Sequence, residues 1–280
     1  KKANETAVSF LGAFFDEKYT GTGLKIAEVV AKGPLVFDGT QIKAGTIIEK
    51  INGEEIVVAQ SDPRIVDLNN SKKSGNERDL PVSNGMAIVY FGGNAEDVSL
   101  SLPRLQTVFS QTPIYAMHYR SYGGSSGEPT QDHLFADALA LIDRLRPHYQ
   151  RIVVMGRSLG SGIAVYTASQ TPVEALILVT PYFSLEDVAA NQYPYLPARF
   201  LLRDKYASYQ YAPAIKAPVY MLVAEWDQLT PLEGSVALQR KFAPGQAQMV
   251  VVKQAWHNGI SNKPEYNTAL SEMWKTINQR

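Results

Sequence analysis

The chain has 280 residues, 45% of them hydrophobic, enough for the core of one or two domains. Its 27 Lys and Arg offset 27 Asp and Glu to give a net charge of +0 with no basic stripe, which argues against nucleic-acid binding. Zero cysteines exclude disulfides and a thiol nucleophile, and no Cys/His cluster suggests a structural metal.

No apolar run approaches the roughly 18 residues of a membrane span. The chain opens Lys1-Lys-Ala-Asn without a Met, which raises the expectation of a signal or anchor upstream. With one, the location is periplasmic or membrane-associated; without one, it is cytoplasmic.

Residues 1–80 read as a small β-rich module. Leu24-Lys-Ile-Ala-Glu-Val-Val30 alternates like a half-exposed strand, and Gly33-Pro34 breaks it. Two short strands flank the Asn52-Gly53 turn within Ala44–Ile56. A short polar helix is expected near 61–70, and the polar run Asn69–Asp79 is a linker candidate.

From 81 to 280 strand and helix signals alternate. Strands are expected at 86–91, 113–119, 151–155, 174–179, 218–224 and 248–253. Helices are expected near 96–110, 132–146, 160–170, 232–242 and 264–278. Apolar runs separated by amphipathic helices imply an α/β domain of about 195 residues, with a mostly parallel sheet covered on both faces.

Chemistry gathers at the carboxyl ends of these strands. After the first comes Gly92-Gly93-Asn94, a glycine-rich turn suited to present a backbone amide to an oxyanion. After the third comes Gly156-Arg157-Ser158-Leu159-Gly160, the Gly-x-Ser-x-Gly of a nucleophile elbow, and a small-residue helix pattern opens directly. There Ser158 is the candidate nucleophile, and the amides of Leu159 and Asn94 are the candidate oxyanion hole. A serine hydroxyl needs a base, and the base needs an orienting group. His257 is the one histidine downstream of Ser158, just past the run Met249–Val252. Asp227 follows the strand 218–224 and precedes His257 by 30 residues.

Competing assignments stand beside these. Glu225 is a rival acid two residues earlier, and Asp227 could instead cap a helix starting near Pro231. His118, His133 and His148 read as structural or surface residues; His118, at a strand end, has a substrate contact as its alternative reading. The segment 182–216 is rich in aromatic and apolar residues. It fits either a cap roofing a pocket or an ordinary crossover whose aromatics fill core.

Several words of this sequence resemble a known family. They are Tyr90-Phe-Gly-Gly-Asn-Ala-Glu96, Tyr119-Arg-Ser-Tyr-Gly-Gly-Ser-Ser-Gly-Glu-Pro129 and Gly156-Arg-Ser-Leu-Gly-Ser-Gly162. Tyr193-Pro-Tyr-Leu-Pro, Leu201-Leu-Arg-Asp204-Lys-Tyr-Ala-Ser and Trp226-Asp-Gln-Leu-Thr-Pro231 continue the match. Over about 85–280 the chain resembles the α/β-hydrolases, more narrowly the Bem46/ABHD group of serine hydrolases. It departs where that group has His-Gly-Asn, here Gly92-Gly93-Asn94, and where Trp256 rather than Gly precedes His257. The resemblance implies cleavage of carboxylic esters or thioesters, often lipid-like, by Ser158, Asp227 and His257, without metal or cofactor. A serine peptidase is the alternative enzyme. A peptide-binding scaffold with a passive hydrolase fold is the alternative outside enzymes.

Thr20-Gly-Thr-Gly-Leu24 and Lys43-Ala-Gly-Thr-Ile-Ile-Glu-Lys-Ile-Asn-Gly53 resemble a PDZ domain over about 20–80. That likeness implies a groove binding an extended peptide or C-terminus, its carboxylate received near Gly21 and Gly23. The other reading is that this region supplies the first strands of the hydrolase sheet.

Overall fold

A computed structural model describes residues 85–280 except 111, 123–124, 194, 196–201 and 280, together with seven short strands between 13 and 55. The chain divides into two compact units, Lys1–Asp62 and Pro63–Arg280.

In the first unit, β1 (Ala13–Phe15), β2 (Leu24–Val29) and β5 (Ile47–Ile48) form an antiparallel sheet in the order β1-β2-β5. Two small hairpins accompany it, β3 (Val36–Phe37) with β4 (Thr40–Gln41) and β6 (Lys50–Ile51) with β7 (Glu54–Glu55). The β6–β7 pairing Ile51↔Glu54 leaves Asn52 and Gly53 between the strands, the spacing of a two-residue hairpin. The helix expected at 61–70, the linker 69–79, and Gly21 and Gly23 lie outside the described residues. A PDZ-type groove is therefore not part of the structure described.

The second unit is built on six strands: β8 (Met86–Phe91), β9 (Ile114–Met117), β10 (Arg151–Arg157), β11 (Ala175–Val179), β12 (Val219–Ala224) and β13 (Ala247–Val252). Their order is β13-β12-β11-β10-β8-β9, and every pairing is parallel. Among the described residues the sheet contains no strand from before Met86. The sheet strands are near-continuous apolar runs because both faces are covered. Alternation along β8 sorts its side chains between two cores: Ala87, Val89 and Phe91 enter one, Met86, Ile88 and Tyr90 the other.

Helices cover both faces. α1 (Val98–Phe109) and α6 (Pro264–Asn278) close the second core, where Phe109 meets Trp274 edge-on at 4.9 Å between ring centroids. α2 (Gln131–Leu145) and α3 (Leu159–Gln170) close the first. α4 (Leu185–Gln192) and α5 (Leu232–Gln239) follow β11 and β12. Side-chain caps start three of these helices: Asp97 bonds the Ser99 amide, Thr130 that of His133 and Ser184 that of Asp187. α3 is buried over most of its surface. Its small residues let it lie close against the sheet.

The order of the strands decides where a ligand can sit. The chain leaves β8 toward β9 at one edge, then returns past β8 to β10 and proceeds to the opposite edge. β8 and β10 are neighbours whose following helices lie on opposite faces of the sheet. The crevice beyond their carboxyl ends is the topological switch point of the sheet.

Candidate active site

The elbow stands at that crevice. β10 runs through Gly156 to Arg157, Ser158 turns, and α3 starts at Leu159. Ser158 holds φ 49° and ψ −118°, a conformation strained for any residue with a side chain. The turn is held by the Ser158 amide donating to the Val179 carbonyl at 2.9 Å and the Ser161 amide donating to the Ser158 carbonyl at 2.8 Å. Glycine is required on both sides. A Cβ at Gly156 would run into the Gly160 carbonyl and the Ala164 methyl; one at Gly160 would strike the carbonyls of Phe91 and Gly92.

Ser158, Asp227 and His257 come together in one hydrogen-bonded chain. The Ser158 Oγ lies 2.8 Å from His257 Nε2, and His257 Nδ1 lies 2.7 Å from Asp227 Oδ2. All three are buried, at 9%, 8% and 7% exposure, so the chain of bonds is largely shielded from competing water. With the carboxylate beside Nδ1, the proton belongs on that nitrogen, leaving Nε2 to accept from the serine hydroxyl. Asp227 is itself fixed: its Oδ1 accepts the amides of Leu229 at 3.0 Å and Thr230 at 2.8 Å, and its Oδ2 accepts the Thr230 hydroxyl at 2.9 Å.

The rival assignments separate here. Glu225 bonds the Lys253 ammonium and the Gln254 amide, each at 2.8 Å, and these partners lower its pKa, the Lys253 bond most of all. It makes no bond to His257 among the described residues. Helix α5 has Pro231 at its N-cap and no side-chain cap, so Asp227 tightens the loop before the helix rather than capping it. His118 is half-buried with its Nδ1 unpartnered, and it does not line the cavity at Ser158. His133 and His148 are exposed.

Asn94 and Leu159 border a cavity of about 370 Å³ that Ser158 opens onto. Leu134, Leu185, Val188, Leu202 and Leu229 supply apolar walls, while Asp204 brings the one charged lining side chain among the described residues. From the segment 182–216, Tyr182, Leu185, Val188, Leu202 and Tyr206 line the cavity, and Tyr182 and Tyr206 are also buried in the first core. Tyr193 and Tyr195 are exposed, and Leu196, Phe200 and Leu201 lie outside the described residues.

Sequence reasoning missed the residues that hold the machinery. The Thr230 hydroxyl, 3.1 Å from His257 Nδ1, also lies 3.2 Å from the Thr180 carbonyl. The Asp-x-x-Thr spacing, a local turn pattern, was its signal in the sequence. Tyr122 donates to Asn94 Oδ1 at 2.7 Å, and Tyr119 donates to the Gly92 carbonyl at 2.7 Å. Glu96 and Arg157 pair at 2.9 Å with both side chains largely buried. Burial alone would raise the Glu96 pKa; bonds from Ser101, Arg157, the Gly93 amide and Tyr90 outweigh it and hold the carboxyl below its ordinary value.

No family model matches the chain. An uncharacterized protein of Mycobacterium tuberculosis is 35% identical over 179 residues, covering 62% of this chain and 63% of that protein. The α/β hydrolase domain-containing protein WAV2 of Arabidopsis thaliana is 28% identical over 195 residues, with 62% and 63% covered. The chain thus spans a little under two thirds of the length of these relatives. Among solved structures, the Pyrococcus furiosus esterase Pf2001 superposes with a TM-score of 0.58 at 19% identity, over 69% of this chain and 81% of that one. A parallel six-stranded sheet, an elbow at its switch point and these likenesses agree: the chain carries the fold of the α/β-hydrolase superfamily.

Proposed function

We propose that the protein is a serine hydrolase that cleaves carboxylic esters or thioesters through an acyl-enzyme. The observation that carries this reading is the unbroken chain Ser158 Oγ, His257 Nε2, His257 Nδ1, Asp227 Oδ2, with steps of 2.8 and 2.7 Å, at an apolar-walled cavity. His257 Nε2 takes the hydroxyl proton as Ser158 Oγ attacks the carbonyl carbon, and the carbonyl oxygen becomes an oxyanion. The backbone amides of Asn94 and Leu159 receive that charge, aided by the N-terminus of α3. As the tetrahedral species collapses, His257 returns the proton to the departing alkoxide or thiolate. Water, activated by the same imidazole, then releases the acid. Asp227 keeps the imidazole in the required tautomer and stabilises it when protonated.

The apolar walls support an aliphatic or lipid-like acyl group, and the likeness to an α/β hydrolase domain-containing protein and to an esterase supports ester cleavage. The test is intact-mass analysis after treatment with a fluorophosphonate, with Ser158→Ala alongside. One adduct on the parent and none on the variant is expected. A well-folded parent that takes up no reagent would sink the reading and favour a binding protein with a passive fold.

A further inference from the structure

The turn after β8 must hold an amide at a fixed distance from the elbow, although the turn and the elbow belong to different strands. Glu96 makes the link. Its Oε2 accepts the Gly93 amide at 2.6 Å and the Arg157 guanidinium at 2.9 Å. Its Oε1 accepts the hydroxyls of Tyr90 at 2.7 Å and Ser101 at 2.6 Å. Four donors thus converge on one carboxylate and fill its acceptor sites. They come from the end of β8, the turn itself, the first part of α1, and the residue immediately before Ser158.

The rest of the turn is secured independently. Tyr119 holds the Gly92 carbonyl, Tyr122 holds the Asn94 side chain, and the Ala95 amide lies 3.4 Å from the Tyr122 hydroxyl. The Glu96 amide donates back to the Gly93 carbonyl at 3.3 Å. Because Glu96 occupies the Gly93 amide, that group is unavailable to a substrate oxygen. Among the described residues the Asn94 amide meets no protein acceptor. The turn also lies against the nucleophile: a Cβ added to Gly93 would stand 3.6 Å from the Ser158 Cβ and 3.2 Å from Glu96 Oε2. Arg157 extends the tie toward the base, with its Nη2 3.4 Å from Asn258 Oδ1, the residue after His257.

We propose that Glu96, paired with Arg157, is a positioning residue that sets the separation of the Asn94 and Leu159 amides, so that both reach the oxyanion formed at Ser158. The inference rests on the serine-hydrolase reading above. Glutamine at 96 tests it by removing the charge that pairs with Arg157. Its oxygen can still accept from the Gly93 amide and Arg157, while its NH2 must donate to the Tyr90 and Ser101 hydroxyls, which reverses two of the four bonds.

The experiment compares parent, Glu96→Gln and Arg157→Gln in hydrolysis of p-nitrophenyl butyrate and in inhibition by phenylboronic acid. The serine oxygen adds to boron with its proton passing to His257, which builds a tetrahedral adduct like the one in turnover. Loss of a single oxyanion donor typically costs about 100- to 1000-fold, so a displaced one is expected to cost about 10- to 100-fold in kcat with KM changed less than about threefold. Boronate affinity should fall by a factor close to that in kcat/KM, and the double variant should be no worse than about threefold below the poorer single one. Melting curves identify the folded fraction at the assay temperature. If folded Glu96→Gln and Arg157→Gln retain parental kcat and boronate affinity, whatever their melting temperatures, the ion pair is only structural and the proposal fails. Should one variant not fold, the other carries the same comparison. A parent that neither turns over the ester nor binds boronate marks failure of the serine reading, and it is seen before any variant is compared.

Discussion

Two carboxylates stand two residues apart beyond β12, and their partners separate their roles. Asp227 faces an imidazole and three local donors, while Glu225 faces an exposed lysine and a backbone amide. Replacing Asp227 by Asn keeps the shape and removes the charge that holds the Nδ1 proton. Under the triad reading this should lower kcat about 10⁴-fold. Glu225→Gln should leave kcat within about threefold, because its partners are solvent-exposed and such pairs contribute little. Steady-state kinetics of the two variants decide the point: a larger loss in Glu225→Gln would reassign the acid. Order along the chain and position past a strand were legible at these residues. The choice between 225 and 227 was not, since both side chains lie within a single loop and only the direction of each settles it.

The element that most constrains the site is the strand–turn–helix of β10 and α3. A methyl group on Gly160 would overlap two backbone carbonyls at the end of β8, and backbone atoms cannot swing aside as a side chain can. Gly160→Ala is therefore expected to destabilise the fold by about 1–3 kcal/mol, measured by urea unfolding, with esterase activity falling more than stability does. Unchanged unfolding would mean that β8 and α3 do not approach as described. Here the sequence was highly legible, because Gly-x-Ser-x-Gly is a local pattern; the steric reason for Gly156 lies within the elbow, at Gly160 and Ala164, whereas that for Gly160 lies at the end of β8. Helix limits were less so: α5 ends at Gln239, short of the expected 242. Its final turn gives way to a bonded turn in which the Phe242 amide donates to the Gln239 carbonyl.

For the molecule as a whole, the Glu96 carboxyl links pH to stability. Its folded pKa lies below the ordinary value of 4.5. The folded state therefore holds the charged form more strongly than the unfolded chain does. That contribution is fully present above the unfolded pKa and is lost as pH falls through the folded one. The stability gap between parent and Glu96→Gln should be constant from pH 6 to about 5 and shrink below about 4, as read by denaturant melts across that range. A gap that widened in acid would reverse the assigned direction. What the sequence alone determined is the alternation of strand and helix, the elbow, and the order of Ser158, Asp227 and His257. Periodicity and turn chemistry act over a few residues and leave their mark in the chain. What only the tertiary structure decided is the strand order that sets β8 beside β10, the contact of His257 with Asp227 rather than Glu225, and the pairing of Glu96 with Arg157 across 61 residues. Buried donors and acceptors brought together by the sheet have no periodicity to betray them. Their partners are fixed by where the strands pack, not by how far apart they lie in sequence.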